Sequence, residues 1–311
     1  ISPVDMLSAL TFEKGQTLSE WITQLNSRLE DSSFGELETN TLASLLLIEI
    51  GVEPRLSKAK ELARKLKELE DPWSGVLEPT VSILDRTFDF LRTRVGVHTR
   101  RMLPYIPQLQ LLYQYFRSAK DSIREKEDIL VRWFWHTSVS ASFSGSSDSQ
   151  FIVSLNDMRR FATSRDQGYD LIGPQTAATP IAARFDFRSA RVKAFFTYWF
   201  KEQRPLAPDG TEVRPEEVAN QESLPRIFNP EDAGSMHTSP ANVLFIKKQD
   251  LPAFKEAILS GKSSPILESH GFDDAVLNSL SRSVIDGLNQ RLEVMVRRER
   301  QFLTELHVPL N

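Results

Sequence analysis

Apolar side chains recur at helical spacing through most of this chain, and this periodicity constrains the fold more than any other feature of the sequence. Residues 17–20 form a capping-box pattern, in which two side chains satisfy N–H groups at the start of a helix. Behind it the apolar positions follow the spacing of one helix face: Leu18, Trp21, Ile22, Leu25 and Leu29. Repetition of this pattern predicts a mainly α-helical fold.

The same periodicity locates further helices and suggests a division of the chain. The later helices are predicted at about 78–95, 104–118, 122–141, 149–163, 184–202, 250–260 and 273–306, the last with a break near Ser283. The polar, proline-rich segment 203–223 predicts a linker or ordered loop between a helical domain at 1–202 and a C-terminal helical region at 224–311. Two β-like runs at 226–228 and 242–246 predict a small β element in that region.

Composition limits the classes of function that this chain can have. It contains no cysteine, which removes disulfides, thiolate nucleophiles and cysteine-ligated metal sites. No apolar run approaches the ~20 residues that span a bilayer, so we expect a cytoplasmic protein without membrane contact. Because the chain begins with Ile1 rather than methionine, we also expect a processed product or a fragment.

The net charge of −4 means that any contact with nucleic acid must come from a local basic patch. Arg184, Arg188 and Arg191 have i, i+4 and i+3 spacing, so they share one face of the predicted helix 184–202, with Lys193 nearby. Such a stripe can follow the phosphates of duplex DNA, whereas a solvated face paired with carboxylates is the ordinary alternative. A second group of basic residues comprises Arg92, Arg94, Arg100 and Arg101.

Two other segments have both a structural and a ligand-binding interpretation. Trp133 and Trp135 alternate with Arg132 and Phe134; they can stack on bases, but core packing is the expected role of aromatic residues in an apolar helix. The serine-rich loop 142–149 has backbone N–H groups that can cradle a phosphate. It lacks the lysine and glycine spacing of a P-loop, so an ordinary loop with a helix N-cap is favoured.

The titratable residues do not form a recognisable catalytic or metal-binding motif. The five histidines are too dispersed for helical i, i+4 pairing, and the sequence has no HExxH or GxSxG pattern. From these residue types alone, no complete catalytic site is predicted.

Several segments, taken in order, resemble one family of proteins. They are Ile1-Ser2-Pro3-Val4-Asp5-Met6-Leu7-Ser8-Ala9, Gly96-Val97, Leu103-Pro104-Tyr105, Gln108-Leu109, Arg132-Trp133-Phe134-Trp135, Phe143-Ser144-Gly145-Ser146, Arg188-Ser189-Ala190-Arg191, Arg226-Ile227-Phe228, Ala241-Asn242 and Leu267-Glu268-Ser269-His270. Together they resemble the GmrSD-type restriction family, nucleotide-dependent nucleases of bacteria and archaea that sense DNA modification. The resemblance runs nearly end to end and rests on the order and spacing of the set.

The resemblance implies an N-terminal ParB/sulfiredoxin-like domain with an Asp-Gly-Gln-Gln-Arg motif, which lies outside these residues, and a C-terminal HNH-like nuclease. The nuclease motif of the family reads His-His-Ile-Phe-Pro, and here the matching stretch is Pro225-Arg226-Ile227-Phe228-Asn229. Both histidines are replaced by residues that cannot act as a general base at physiological pH. Asn242 keeps its match, and His237 lies elsewhere than the base of the family. The vestigial HNH-like residues are therefore Arg226, Asn229, His237 and Asn242, in a degenerate ββα unit.

These expectations define three candidate functions. The first is the DNA-engaging or scaffold portion of a modification-dependent restriction or antiphage defence protein, with Arg184, Arg188, Arg191 and Lys193 as the DNA-binding residues. The second is a metal-dependent HNH-like endonuclease that uses His237 and Asn242. The third is a helical protein-interaction scaffold. The expected partners are duplex DNA and an N-terminal domain or partner subunit; no cofactor is expected in this chain, while the family implies a nucleoside triphosphate and a divalent metal elsewhere.

Overall fold

A computed structural model describes residues 4–5, 7–8, 17–29, 34–54, 64–65, 68, 73–119, 126–164, 171, 176–181 and 183–310. The described chain is mainly α-helical, which confirms the predicted fold class. Parts of the first resemblance segment, residues 1–9, lie outside the described residues. None of the helices in the described ranges is both long and apolar enough to cross a membrane.

The chain forms two compact units. The first comprises Ile1–Arg100, Tyr105–Phe134 and Ser142–Pro174, and the second comprises Arg101–Pro104, Trp135–Ala141 and Gln175–Asn311. The segment 203–223, predicted as a linker or ordered loop, lies inside the second unit. It contains the short helix Pro215–Ala219, and Val213 and Val218 are buried.

The helices of the first unit surround two that are buried on nearly every side. In chain order they are α1 (Leu18–Leu29), α2 (Thr39–Ile50), α3 (Glu78–Phe90), α4 (Ile106–Ser118), the first part of α5 (Glu127–Val139), and α6 (Asp148–Thr163). The apolar side chains from Leu42 to Ile48 of α2 are at most 1% exposed, and α4 is buried from Gln108 to Phe116. A helix that is buried all round lies at the centre of a core, so α2 and α4 form the centre of this unit.

Tyr113 and Gln108 are polar residues of α4 whose side chains have hydrogen-bond partners inside this core. Tyr113 Oη donates to Glu49 Oε2 at 2.8 Å, and Gln108 Nε2 donates to the carbonyl of Phe134 at 3.1 Å. Burial and the neighbouring Glu49 carboxylate raise the pKa of Tyr113 well above its usual value, so its hydroxyl stays protonated and able to donate. These bonds offset the cost of placing the groups out of water.

In the described residues, π-helical turns interrupt or extend the α-helices at Trp73–Leu77, Leu91–Val95 and Trp199–Gln203. The predicted helix 78–95 is therefore α3 followed by a π turn. Gly96 ends that turn with a backbone φ of 95°, and its N–H donates to the carbonyl of Leu91 at 2.8 Å. A residue without a Cβ adopts this left-handed conformation at little cost, so the glycine permits the chain to leave the helix there.

The second unit contains short helices and one long C-terminal helix. They are α7 (Ala190–Tyr198), α8 (Pro215–Ala219), α9 (Pro230–Ala233), α10 (Leu251–Leu259), α11 (Pro265–Ser269), α12 (Asp274–Leu280) and α13 (Val284–Glu305). Aromatic rings fill its core around Phe245, whose centroid lies 5.4–6.3 Å from those of Phe185, Phe195, Phe196, Trp199 and Phe200. Aromatic pairs at these distances add to the stabilisation from burial.

The break predicted near Ser283 is confirmed. The Ser283 side chain accepts from the N–H of Asp286 at 3.3 Å, which caps α13. Gly287 lies in the first turns of α13 against the end of α12. A Cβ built on Gly287 would come within 2.4 Å of Leu280 Cγ, so only glycine fits this approach without movement of α12.

The predicted small β element is not confirmed. In the part of the chain that the structure describes, residues 226–228 and 242–246 make one isolated antiparallel bridge, between Arg226 and Val243, and no strand. The bridge does not extend into a ladder because neither of the next two donors is available. The N–H of Asn242 donates to the carbonyl of Ser239 at 3.0 Å, and Pro225 has no N–H to donate to Leu244.

The two tryptophans of α5 have the expected structural role. Trp133 is 4% exposed and Trp135 is 1% exposed. Within the second unit the ring of Trp135 packs edge-on against Phe302, with 4.8 Å between centroids. The core-packing interpretation of both residues is therefore confirmed.

Candidate nucleic-acid interface

The predicted arginine stripe does not form, because the helix that should carry it begins at Ala190 rather than near residue 184. The Asp186 carboxylate accepts the backbone N–H of Arg188 at 3.0 Å and its guanidinium at 2.8 Å. This local turn competes with helix formation, as short acidic side chains do at helix starts. Arg184 and Arg188 therefore precede α7 instead of sharing one of its faces with Arg191.

Arg191 is part of the core of the second unit. Its guanidinium donates to both carboxylate oxygens of Glu299 in α13, at 2.8 and 2.6 Å, and its Nε donates to the carbonyl of Thr179 at 2.8 Å. The side chains of Arg191 and Glu299 are 11% and 5% exposed. The Lys193 ammonium donates to the carbonyl of Leu103 at 3.2 Å. Two of the four cations that were predicted to bind DNA, Arg191 and Lys193, thus bind protein groups.

Asn242, the retained residue of the HNH-like region, is completely buried and bonded to main chain. Its Oδ1 accepts the N–H of Phe228 at 2.9 Å, and its Nδ2 donates to the carbonyls of Phe228 at 2.9 Å and His237 at 3.1 Å. The amide reproduces the pairing that a neighbouring strand would supply. Asn242 therefore closes the base of the loop from 228 to 242.

The other three vestigial residues also stabilise this loop. Asn229 is the N-cap of α9, and its Oδ1 accepts the N–H of Asp232 at 2.9 Å. The Arg226 guanidinium donates to the carbonyl of His237. The side chains of Arg226 and Asn242 therefore both bind the backbone carbonyl of His237, and no hydrogen bond of either with the His237 imidazole is seen among the described residues. Within the described ranges, no group of three or more histidine or acidic side chains is arranged to hold a metal ion.

Arg291, a buried residue that was not singled out from the sequence, binds the C-terminal end of this loop. Arg291 of α13 donates four hydrogen bonds to three carbonyls: Nε and Nη2 to that of His270 at 3.0 and 2.7 Å, and Nη1 to those of Ala241 at 2.5 Å and Val243 at 3.0 Å. Its guanidinium also lies 4.2 Å from the centre of the Phe272 ring. Burial lowers the pKa of Arg291 to about 9, which leaves it protonated at neutral pH.

The sequence contains a signal for this arginine. In α13 the apolar residues Leu288, Val294 and Met295 mark the buried face, and Arg291 falls in the same helical stripe. A charged residue within an apolar stripe predicts a buried polar contact.

His270 is a second buried polar group in this region. Its Nε2 donates to the carbonyl of Leu206 at 2.9 Å, while its Nδ1 has no hydrogen-bond partner among the described residues. Burial lowers the pKa of His270 to about 3, and the nearby charge of Arg291 acts in the same direction. The imidazole is therefore neutral at physiological pH and serves the fold rather than proton transfer.

Three arginines remain at the surface next to this loop, and we call Arg184, Arg188 and Arg226 the arginine surface. Arg184 is exposed and has no ion pair or hydrogen bond with the described residues, and Arg226 is partly exposed. Arg188 pairs with Asp186 at 2.8 Å and is 89% exposed. Hydrogen bonds from Arg188 lower the pKa of Asp186 to about 2, so this carboxylate stays charged. The surface carries three positive charges against one negative charge.

Two of the four arginines in the second predicted basic group, Arg94 and Arg100, form ion pairs within the first unit. Arg94 pairs with Glu127 and, at 2.6 Å, with Asp128, while Arg100 lies 3.1 Å from Glu38. The serine-rich loop ends in a helix N-cap, as expected: the Ser147 hydroxyl accepts the N–H of Gln150 at 3.3 Å.

Comparisons of this chain with protein-family models, with curated proteins and with solved structures gave no match.

Proposed function

We propose that this chain is the DNA-engaging or scaffold part of a modification-dependent restriction or antiphage defence protein that resembles the GmrSD type. In this proposal nucleotide use belongs to a domain or subunit outside the chain. The observation that carries the proposal is the arginine surface beside a loop whose HNH-like residues all serve the fold. Asn229 and Asn242 bind backbone groups of the loop, so the exposed guanidinium groups of the arginine surface are the part of this region that can contact DNA.

Electrostatics favour DNA engagement over a purely structural scaffold. The chain has a net charge of −4, so approach to a polyanion requires a local positive region. Arg184 and Arg226 supply one, since neither is neutralised by a carboxylate of the described residues. Contacts of this kind bind the DNA backbone without reading sequence.

The geometry gives less support to the alternative of a metal-dependent endonuclease. An HNH-type mechanism needs an asparagine amide that can orient a catalytic group and a positioned general base. Here the Asn242 amide forms three hydrogen bonds with backbone groups, and one of them is to the carbonyl of His237. Both residues act on the shape of the loop.

The test of DNA engagement is a salt series of duplex binding, measured by fluorescence anisotropy of a labelled duplex. We expect the double variant Arg184→Ala/Arg188→Ala to bind more weakly and with a flatter dependence of log K on log salt. Removal of each phosphate contact should reduce the slope by about 0.9. The matched control is Arg297→Ala/Arg300→Ala, which removes two exposed charges from α13.

Each outcome of the salt series has one interpretation. If both double variants behave alike, the effect is one of total charge, and DNA engagement by the arginine surface is wrong. If the parent chain does not bind duplex at any salt concentration, the scaffold function is favoured. Incubation of plasmid DNA with the parent chain and Mg²⁺ or Mn²⁺ tests the endonuclease alternative, for which His237→Ala should abolish any cleavage.

A further inference from the structure

The turn at His237 and Thr238 places two arginines side by side. The carbonyl of His237 accepts from the Arg226 guanidinium and from Asn242 Nδ2, the latter at 3.1 Å. The next carbonyl, that of Thr238, accepts the N–H of Phe185 at 2.7 Å. Consecutive Cα atoms are about 3.8 Å apart, so the backbone of Arg184, which precedes Phe185, lies close to the turn that binds the Arg226 guanidinium, and the charge of Arg184 acts on Arg226.

Neither of these two positive charges forms an ion pair with the described residues, although the charge of Arg184 also acts on the Asp186 carboxylate. Among the described residues no carboxylate forms an ion pair with Arg184 or Arg226, and Asp186 is engaged by Arg188. Partial burial lowers the pKa of Arg226, and the charge of Arg184 lowers it further. Two close like charges repel each other, and an anion bound between them removes that repulsion.

The Arg226 side chain is also held in place before any ligand arrives. Its backbone forms the bridge with Val243, and one nitrogen of its guanidinium is fixed on the carbonyl of His237. The remaining N–H groups of the guanidinium keep their fork geometry, which matches the oxygens of a phosphate. A pre-organised donor loses little conformational entropy on binding.

We infer that Arg226 and Arg184 together bind a single phosphate group at the His237–Thr238 turn. For a phosphodiester of duplex DNA this inference rests on the proposed function. For a free or terminal phosphate it does not. Arg226 fixes the position of the phosphate as a fork, and Arg184 adds a second charge from the solvent side.

The first arm of the test measures inorganic phosphate alone. Melting of the full chain is followed by tryptophan fluorescence in about 10 mM phosphate and in chloride or sulfate of equal ionic strength, because phosphate and sulfate share the non-specific stabilising effect of excluded salts. We expect phosphate to raise the melting temperature of the parent chain more than sulfate does. Arg184→Gln, which breaks no contact with the described residues, should weaken phosphate binding about ten-fold because one charge-assisted partner is removed.

Variants at Arg226 distinguish the contribution of the forked guanidinium hydrogen bonds to phosphate binding from the contribution of the positive charge. Arg226→Lys keeps the positive charge but loses the fork, so it should bind phosphate more weakly than the parent chain does. Arg297→Gln removes an exposed charge elsewhere and should bind phosphate as the parent does. If Arg226→Lys or Arg226→Gln fails to fold, Arg184→Gln still decides the question.

The second arm titrates labelled duplex and a 5′-phosphorylated single nucleotide. Phosphate stabilisation that depends on Arg184, without duplex binding, supports the phosphate site and contradicts DNA engagement. The phosphate site is overturned if Arg184→Gln binds duplex as well as the parent chain does and if phosphate and sulfate stabilise the parent chain equally. DNA engagement would then occur elsewhere on the chain. Equal phosphate effects in the parent chain and Arg184→Gln likewise overturn it.

Discussion

At the scale of single residues, the side chains of Arg226, Asn229 and Asn242 in the vestigial HNH-like set contribute to folding, and their contributions differ in size. Asn242 is 0% exposed and satisfies three backbone groups. Asn229 satisfies one N–H at an exposed helix start. A buried group that loses its partner costs more free energy than an exposed one, which water can solvate.

We expect Asn242→Ala to lower the free energy of unfolding by about 2–4 kcal/mol, because it leaves buried N–H and C=O groups unpaired. Asn229→Ala, the control, removes an exposed N-cap and should cost about 1 kcal/mol. Urea denaturation of the purified variants measures both. Unchanged stability together with loss of a DNA-related activity in Asn242→Ala would show that the residue acts on DNA instead.

At the scale of the helices, the late start of α7 redirects one arginine from the surface to the core. Arg191 occupies the first turn of α7 and pairs with Glu299 near the end of α13. The pair joins two helices that are far apart in sequence. Its two partners are buried, so the removal of either one leaves an uncompensated charge out of water.

We expect Arg191→Ala to destabilise the protein by about 3–5 kcal/mol, the usual cost of an unpaired buried charge. The double variant Arg191→Met/Glu299→Leu should recover most of that stability, because neither charge remains. Arg188→Ala, whose partner pair is exposed, should leave the thermal midpoint unchanged. A mild effect of Arg191→Ala, equal to that of Arg188→Ala, would contradict the buried pairing.

The sequence predicted the strongly periodic elements well and the start of α7 poorly. Helices near α4, α6 and α13 follow from apolar spacing, and the break at Ser283 follows from a serine N-cap. The stripe of Arg184, Arg188 and Arg191 followed from charge spacing, which does not depend on whether a helix exists there. Asp186 and Ser189 are both residues typical of helix starts, and they were the better signal for the boundary.

The positions of the candidate site residues could not be predicted, for a different reason. The β-like runs at 226–228 and 242–246 have strand propensity, but the backbone N–H of Asn242 donates to the carbonyl of Ser239 in a turn instead of to the opposite run, and the Asn242 amide binds the outward-facing backbone of Phe228. Such competition between a side chain and the backbone depends on tertiary contacts. The proximity of Arg184 to Arg226 likewise depends on backbone bonds between distant segments.

At the scale of the whole molecule, one buried imidazole should shape the dependence of stability on pH. The pKa of His270 is lowered to about 3 by burial, whereas a histidine in an unfolded chain has a pKa of about 6.5. Between these values the unfolded state binds more protons than the folded state does. The free energy of unfolding therefore rises with pH in this window, and stability is lost as the pH falls below about 6.5.

We expect the parent chain to lose about 2 kcal/mol between pH 6.5 and 5.0 through this residue, from a slope of about 1.4 kcal/mol per pH unit. His270→Gln retains an N–H donor for the carbonyl of Leu206 and should show a flatter profile over the same range. Urea midpoints measured at several pH values make the comparison. The comparison variant is His307→Asn, at an exposed histidine whose backbone φ of 55° asparagine tolerates. Identical profiles for the parent chain and His270→Gln would contradict the assignment.

The Arg291 contacts carry a consequence for the order in which the protein is made. Its guanidinium binds the carbonyls of residues 241, 243 and 270, all of which leave the ribosome before Arg291 does. A nascent chain that ends short of α13 therefore contains these turns without the group that ties them together. Because domains fold as units during synthesis, we expect this part of the second unit to acquire its native arrangement only after the long C-terminal helix has emerged. We therefore expect the loop beside the arginine surface to reach its folded structure only late in translation.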